Sequence, residues 1–365
     1  MTRGRPSTRW AGRLTVTCLL AALVGVLAHP GPARADQTRD EQWHLAFLHV
    51  DQAHRYSQGD GVTVGVVDSG VQADHPDLVA NVLPGADFTD AGGDGRTDPN
   101  GHGTRMAGLI AAHGHDHDAG ALGIAPRARI LPVTDGVISS TSRTASSIHW
   151  AVDHGARVVC FAGGFAVDDE VLRQAIAYAF AHDVVVVAGV GNAPKATDVE
   201  FPARYEGVVA AAGVDRNGDH AAVSVTGSAV VLSAPAVDIM STAPNNRYSL
   251  GVGTSDATAI IAGAAALVRA RFPELSATEV VHRLTATAID KGPPGRDDQY
   301  GYGIVNLVGA LTADVPPLRA SPSAQPTTSA HAAPSRRSNA ALPVAAVVAV
   351  LVAAGGVLVL RARRR

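Results

Sequence analysis

Aromatic residues are scarce in this chain: Phe, Trp and Tyr together make up 4% of its 365 residues. Its core must therefore be assembled from Ala, Val, Leu and Ile, side chains that suit strands buried on both faces of a parallel sheet. Charge is thin as well, at 17% against 46% hydrophobic residues, which excludes a disordered polyelectrolyte, and the 38 glycines follow no collagen period. Cysteine is nearly absent. Cys18 lies in a leading apolar stretch and Cys160 in the body, so a chain trimmed of that leader has no internal disulfide. Acidic residues are missing from 1–35 and from the last five positions, segments that hold nine arginines between them. The remainder sets 21 basic residues against 33 acidic ones, about 12 negative, which argues against nucleic acid as a partner. The turn after the first predicted strand reads DSGVQA rather than G-x-G-x-x-G, and no G-x-x-x-x-G-K-[ST] occurs, so dinucleotide and P-loop chemistry are excluded.

The termini place the chain at a membrane. Arg3, Arg5, Arg9 and Arg13 precede an apolar run from Leu14 to Ala28, and Ala33-Arg34-Ala35 offers small residues for cleavage before Asp36, the pattern of a secretory signal. At the other end, 342–360 is free of charge and close to the ~20 residues an α-helix needs to cross the hydrocarbon core. Arg361, Arg363, Arg364 and Arg365 follow and hold that end in the cytoplasm. Residues 312–341 are rich in Pro, Ser and Ala and too poor in apolar surface to fold. The predicted order is a signal peptide at 1–35, an N-terminal extension at 36–60, a folded domain at 61–311, a linker at 312–341, a transmembrane helix at 342–360 and a basic tail at 361–365. The folded domain then faces outward from the cell membrane, on a single-pass anchor.

Within the domain, strand-like runs alternate with helical spacing. Strands are expected at 62–67, 128–133, 156–161, 184–188 and 207–212, and helices after His102 and over 142–154, 168–183, 255–272 and 276–288. This pattern predicts an α/β fold of three layers, a mostly parallel sheet covered by helices on both faces. Sheets of this kind place their chemistry at the carboxyl ends of the strands.

Four segments carry candidate chemistry: VVDSGV with Asp68, NGHGTRMAG with His102, VVVVAGVGN with Asn192, and GVGTSDATAIIAG with Ser255. A serine hydroxyl is a weak nucleophile until a neighbouring base accepts its proton. An imidazole does that near neutral pH, and a carboxylate fixes its tautomer and stabilises the imidazolium. A helix N-terminus at Ser255 favours a developing oxyanion, and the Asn192 amide can supply a second donor. Taken singly, Asp68 could end a strand, His102 and Ser255 could be helix caps, and Asn192 could sit in a turn. The four in this order, each inside its own flanking motif, point to one site.

On these blocks the chain resembles the subtilisin-like serine peptidases, from about Gly61 to Asn306: DSG, HGT-x-x-AG and GTS-x-A are joined by GIAPRARILPV at 123–133. It is most similar to the mycosins, membrane-anchored peptidases of type VII secretion, through DEQWHLAFLHVDQAH at 40–54, YGYGIVN at 300–306, the proline-rich stalk and the C-terminal span. The resemblance implies a subtilisin-like fold and an endopeptidase with Ser255 as nucleophile, His102 as general acid and base, Asp68 as its orienter and Asn192 as oxyanion donor. The implied partners are a protein or peptide substrate, the membrane and the type VII secretion machinery. The alternative is a catalytically weak homologue acting as a structural part of that machinery. Three positions depart from the family pattern: Ala259 stands where proline is usual, Asp256 where Met, Phe or Tyr is usual, and Ala162 in the place of a cleft serine. The carboxylate of Asp256 is expected to be solvated or paired with a cation. No cofactor is required. The run HGHDHD at 113–118 reads as a solvated loop rather than a metal site, and Asp87, Asp90, Asp94 and Asp98 form a loop in which structural calcium is a minor expectation. Cys160 reads as a small core residue.

Overall fold

The computed structural model describes Met1 and residues 35–89, 92–116, 119–136 and 140–318. The transmembrane helix and basic tail expected at 342–365, the linker from 319 onward and all but the ends of the signal peptide lie outside the described residues. Among the described residues no helix is long and apolar enough to cross a membrane.

Seven parallel strands form the central sheet: β1 (Thr63–Asp68), β2 (Ala86–Asp87), β5 (Arg129–Thr134), β6 (Val158–Phe161), β7 (Val185–Gly189), β8 (Val209–Val214) and β9 (Leu232–Pro235). Their spatial order is β2-β5-β1-β6-β7-β8-β9. Two hairpins flank it, β3 (His113–His115) with β4 (Ala119–Leu122) and β10 (Ile239–Ala243) with β11 (Arg247–Gly251). The helices are α1 (Ala35–Glu41), α2 (Trp43–Phe47), α3 (Val50–Ala53), α4 (His102–Ala111), α5 (Thr141–Asp153), α6 (Glu170–Ala181), α7 (Thr254–Arg271), α8 (Ala277–Ala286) and α9 (Leu307–Thr312).

The strands are buried on both faces, as a covered parallel sheet requires. Val64, Val66, Val158, Cys160, Val185 and Val187 share one core with α4, α7 and the N-terminal helices. Their neighbours Val67, Val159, Phe161, Val186 and Ala188 share the other core with α5 and α6. Gly65 lets α5 press on the sheet, since a Cβ there would stand 3.1 Å from that of Ala151. Helix α7 runs through the first core, with every residue from Asp256 to Arg269 buried. Apart from Asp256, Thr258 and Arg269, these side chains are apolar or small on every side, as a surrounded helix requires. Small residues let it fit: a Cβ on Gly263 would lie 2.7 Å from Ile124 Cβ. Ser276 and Glu279 close a reciprocal cap on α8, as their spacing predicts.

The chain runs from β1 to β5 on one side and returns to β6 on the other, so the strand order reverses at β1. The crevice beyond the carboxyl ends of β1 and β6 is where such a sheet binds ligands. Asp68 is the last residue of β1, and Ala162 follows β6 directly.

Candidate active site

The turn after β1 is built to receive α4. Gly70 has φ 104°, a conformation that favours glycine, and a Cβ there would lie 2.0 Å from Thr97 O. Gly103, in the first turn of α4, approaches so closely that a Cβ would meet Gly70 O at 2.1 Å. Asp98, buried at 8% exposure, fastens the two: it accepts from Ser69 Oγ (2.8 Å), Gly101 N (2.8 Å), Thr104 N (2.8 Å) and Thr104 Oγ1 (2.7 Å). Ser69 Oγ in turn accepts from Gly103 N at 3.0 Å. The close approach delivers His102 to Asp68. His102 Nδ1 lies 2.8 Å from both carboxylate oxygens of Asp68, whose side chain is 7% exposed. Burial alone would lower the imidazole's pKa. The charge and hydrogen bond of Asp68, with a contribution from Asp256, outweigh burial, so His102 titrates above its ordinary value.

Ser255 stands in the first turn of α7, where backbone N–H groups lack intrahelical acceptors. Its hydroxyl donates to Ala162 O at 3.0 Å, so in this rotamer the proton is held at the end of β6. Asn192 comes from the turn after β7. Its Oδ1 accepts from Thr254 N (2.9 Å) and Thr254 Oγ1 (3.2 Å), which fixes the amide and leaves Nδ2 as the outward donor. Asn192 and Ser255 line one cavity of about 220 Å³. The adjoining cavity, about 340 Å³, is lined by Asp68 and His102, and Ala162, Gly163 and Lys195 border both. The four residues expected at one site are thus brought to one crevice.

Asp256 is not solvated. It is 2% exposed and forms a two-pronged ion pair with Arg105 of α4, Nε to Oδ1 at 2.9 Å and Nη2 to Oδ2 at 3.1 Å. Burial raises its carboxyl pKa while Arg105 opposes the rise. The rest of the guanidinium donates to Ser249 O (2.7 Å) and to Ile239 O. Gly251 makes room for it, because a Cβ there would stand 2.2 Å from the guanidinium carbon. The pair joins the first turns of the two helices that carry His102 and Ser255. Sequence reasoning found Asp256 but not Arg105. The available signal was a lone charge inside an apolar helical run, HGTRMAGLIAA.

The histidines of the 113–118 run diverge. His113 places its two nitrogens against Gly114 O (2.6 Å) and Val79 O (2.8 Å), while His115 Nδ1 meets buried Asp77. His117 and Asp118, which end the run, lie outside the described residues, as does Asp90. Asp87 and Asp94 accept from N–H groups two residues ahead, and both Asp98 oxygens are occupied as above, so these carboxylates do not converge on a common point. Among the described residues no three His, Cys, Asp or Glu side chains are grouped to hold a metal ion. Cys160 is 1% exposed, and burial pushes its thiol pKa far up.

Comparison with known proteins agrees with this fold. The subtilase family, peptidase S8, matches residues 59–303. Subtilisin DY of Bacillus licheniformis is 38% identical over 265 residues, covering 71% of this chain and 93% of that protein. Among solved structures, MycP1 with its N-terminal propeptide removed superposes with a TM-score of 0.69 at 29% identity, covering 75% of this chain and 98% of its own. MycP1 from Mycobacterium smegmatis gives 0.67 at 28%, covering 79% and 88%. MycP3 protease from the type VII (ESX-3) secretion system gives 0.65 at 30%, covering 78% and 90%. Fold, sequence and structural neighbours agree, and the chain belongs to the subtilase family of serine peptidases.

Proposed function

We propose that this chain is a membrane-anchored extracytoplasmic endopeptidase that serves type VII protein secretion and hydrolyses peptide bonds through Asp68, His102, Ser255 and Asn192. The observation that carries the mechanism is the Asp68–His102 hydrogen bond, at 2.8 Å, beside a crevice that Ser255 and Asn192 also line. Ser255 turns its hydroxyl from Ala162 O to His102, and the imidazole accepts the proton as Oγ attacks the substrate carbonyl. The negative charge on the former carbonyl oxygen is met by Asn192 Nδ2 and by the N–H groups at the start of α7. His102 then protonates the leaving amine, an acyl-enzyme forms, and a water deprotonated by His102 releases the acid. Asp68 stays ionised throughout and stabilises the imidazolium. No metal or cofactor enters these steps.

The secretory role is supported by the likeness to MycP1 and MycP3. The anchoring rests on the apolar segment at 342–360 with its arginine flank. A fluorophosphonate probe tests the peptidase reading. It should label the folded full-length chain, and Ser255→Ala should abolish labelling; folded protein that takes up no label favours a structural role in the secretion machine.

A further inference from the structure

Two charged residues line the cavity beside Ser255: Lys195, which is exposed, and Glu200, which is partly buried in its wall. After Asn192 the chain loops out through Lys195 and returns so that Glu200 N donates to Val190 O at 3.0 Å. The next residue, Phe201, pairs with Phe165 through two backbone hydrogen bonds of 2.8 Å, which seats Glu200 against Gly164. The carboxylate occupies space that two glycines leave open. A Cβ on Gly164 would lie 2.4 Å from Glu200 Oε2, and one on Gly191 would lie 3.1 Å from it. The remaining lining is backbone and small side chains: Ala162, Gly163, Gly189, Ala196 and Thr254. Ser255 and Asn192 also line this cavity.

Glu200 is partly buried, yet no hydrogen bond or ion pair reaches its carboxylate among the described residues. Burial pushes its pKa up, and Lys195, exposed at the mouth, opposes the rise. An unpaired carboxylate held partly out of water is disfavoured unless a cation completes it. The substrate can supply that cation. A peptide carbonyl placed on Ser255 with its oxygen toward Asn192 Nδ2 belongs to a residue whose side chain must enter this cavity.

We infer that Glu200 is a specificity-determining residue, selecting substrates with lysine or arginine as the residue whose carbonyl Ser255 attacks. The long aliphatic stem fits a lining of methyls and backbone, and the terminal charge meets Glu200. Lys195, outside at the mouth, repels such substrates weakly because it stays in water. This inference rests on the peptidase reading above.

The test is kcat/KM of the full-length chain on peptides differing only at that residue, Lys, Arg, Leu or Glu, with fluorophosphonate labelling as the control for an intact centre. Lys and Arg should exceed Leu by about 10-fold or more, and Glu should be the poorest substrate. Glu200→Gln should cut the Lys-to-Leu ratio by about 10- to 100-fold, the scale of one charged hydrogen bond, and Glu200→Lys should favour the Glu peptide over the Lys peptide. Labelled enzyme that prefers Leu, with a ratio untouched by Glu200→Gln, overturns this inference alone. An enzyme that neither labels nor cleaves any peptide overturns the peptidase reading and this inference with it.

Discussion

The ion pair between Arg105 and Asp256 can be taken apart one charge at a time. The two side chains are 9% and 3% exposed, so removing either partner strands the other in a site with little water. Breaking a buried pair in this way costs about 3–5 kcal/mol, whereas replacing both members with apolar residues of similar volume is commonly neutral or stabilising. Asp256→Leu and Arg105→Met should therefore each lower unfolding free energy by about 3–5 kcal/mol, while the double variant should recover most of that loss.

The same variants move the pH profile in opposite directions. In the proposed mechanism His102 must be neutral to accept the Ser255 proton, so the acidic limb follows its pKa. Asp256 raises that pKa and Arg105 lowers it. Asp256→Leu should shift the limb to lower pH, Arg105→Met to higher pH, and the double variant should fall between them. Urea unfolding and kcat/KM against pH, measured on all four proteins, complete the cycle. The reasoning fails if the single losses add in the double variant, or if both single variants move the limb the same way.

Two further outcomes follow from the crevice. Asn192→Ala should lower kcat by about 10²–10³ with KM nearly unchanged, if Nδ2 acts on the oxyanion as proposed; a large KM change at constant kcat on a single peptide would place the amide on ground-state substrate instead. Asp68→Asn should lower kcat by about 10⁴ and, by removing the main influence that raises His102, move the acidic limb of the remaining activity to lower pH; an unmoved limb would mean that another group sets it.

Much of this architecture was legible in the sequence because its signals are local. The β-branched runs at 62–67 and 184–188 appear as strands at Thr63–Asp68 and Val185–Gly189, and the cap at Ser276 closes as spelled. The elements not predicted have weaker local signals. Strand β9 is four residues, LSAP, held by its neighbour β8 and by Ile304 rather than by its own pattern. In the β10–β11 hairpin β10 (IMSTA) lacks apolar alternation, and the turn signal is the pair Asn245-Asn246, both at positive φ. Helices α1–α3 are short and held by distant partners: Gln42 bonds to Leu122 and Met240, and Trp43 Nε1 to Val237 O and Asp238 O. At the site, the DSG, HGT and GTS blocks are each contiguous and could be read directly. Arg105 and Asp256 are 151 positions apart, and Glu200 meets Gly164 only after α6 and β7 have brought the chain back beside it, so their meanings exist only after folding.

Because Ser255 is half-buried at the start of α7 and the helix is buried from Asp256 to Arg269, the proposed nucleophile is fixed to a part of the molecule expected to open late. A protease is exposed to its own kind, and any segment that unfolds locally becomes food for its neighbours. Here a loop can fray without disturbing the helix that holds the serine. Loss of that serine's position, by contrast, requires breach of the whole core. Heat inactivation in the absence of other proteases should then coincide with global unfolding, and self-digestion should begin at the surface while the surviving molecules remain fully competent.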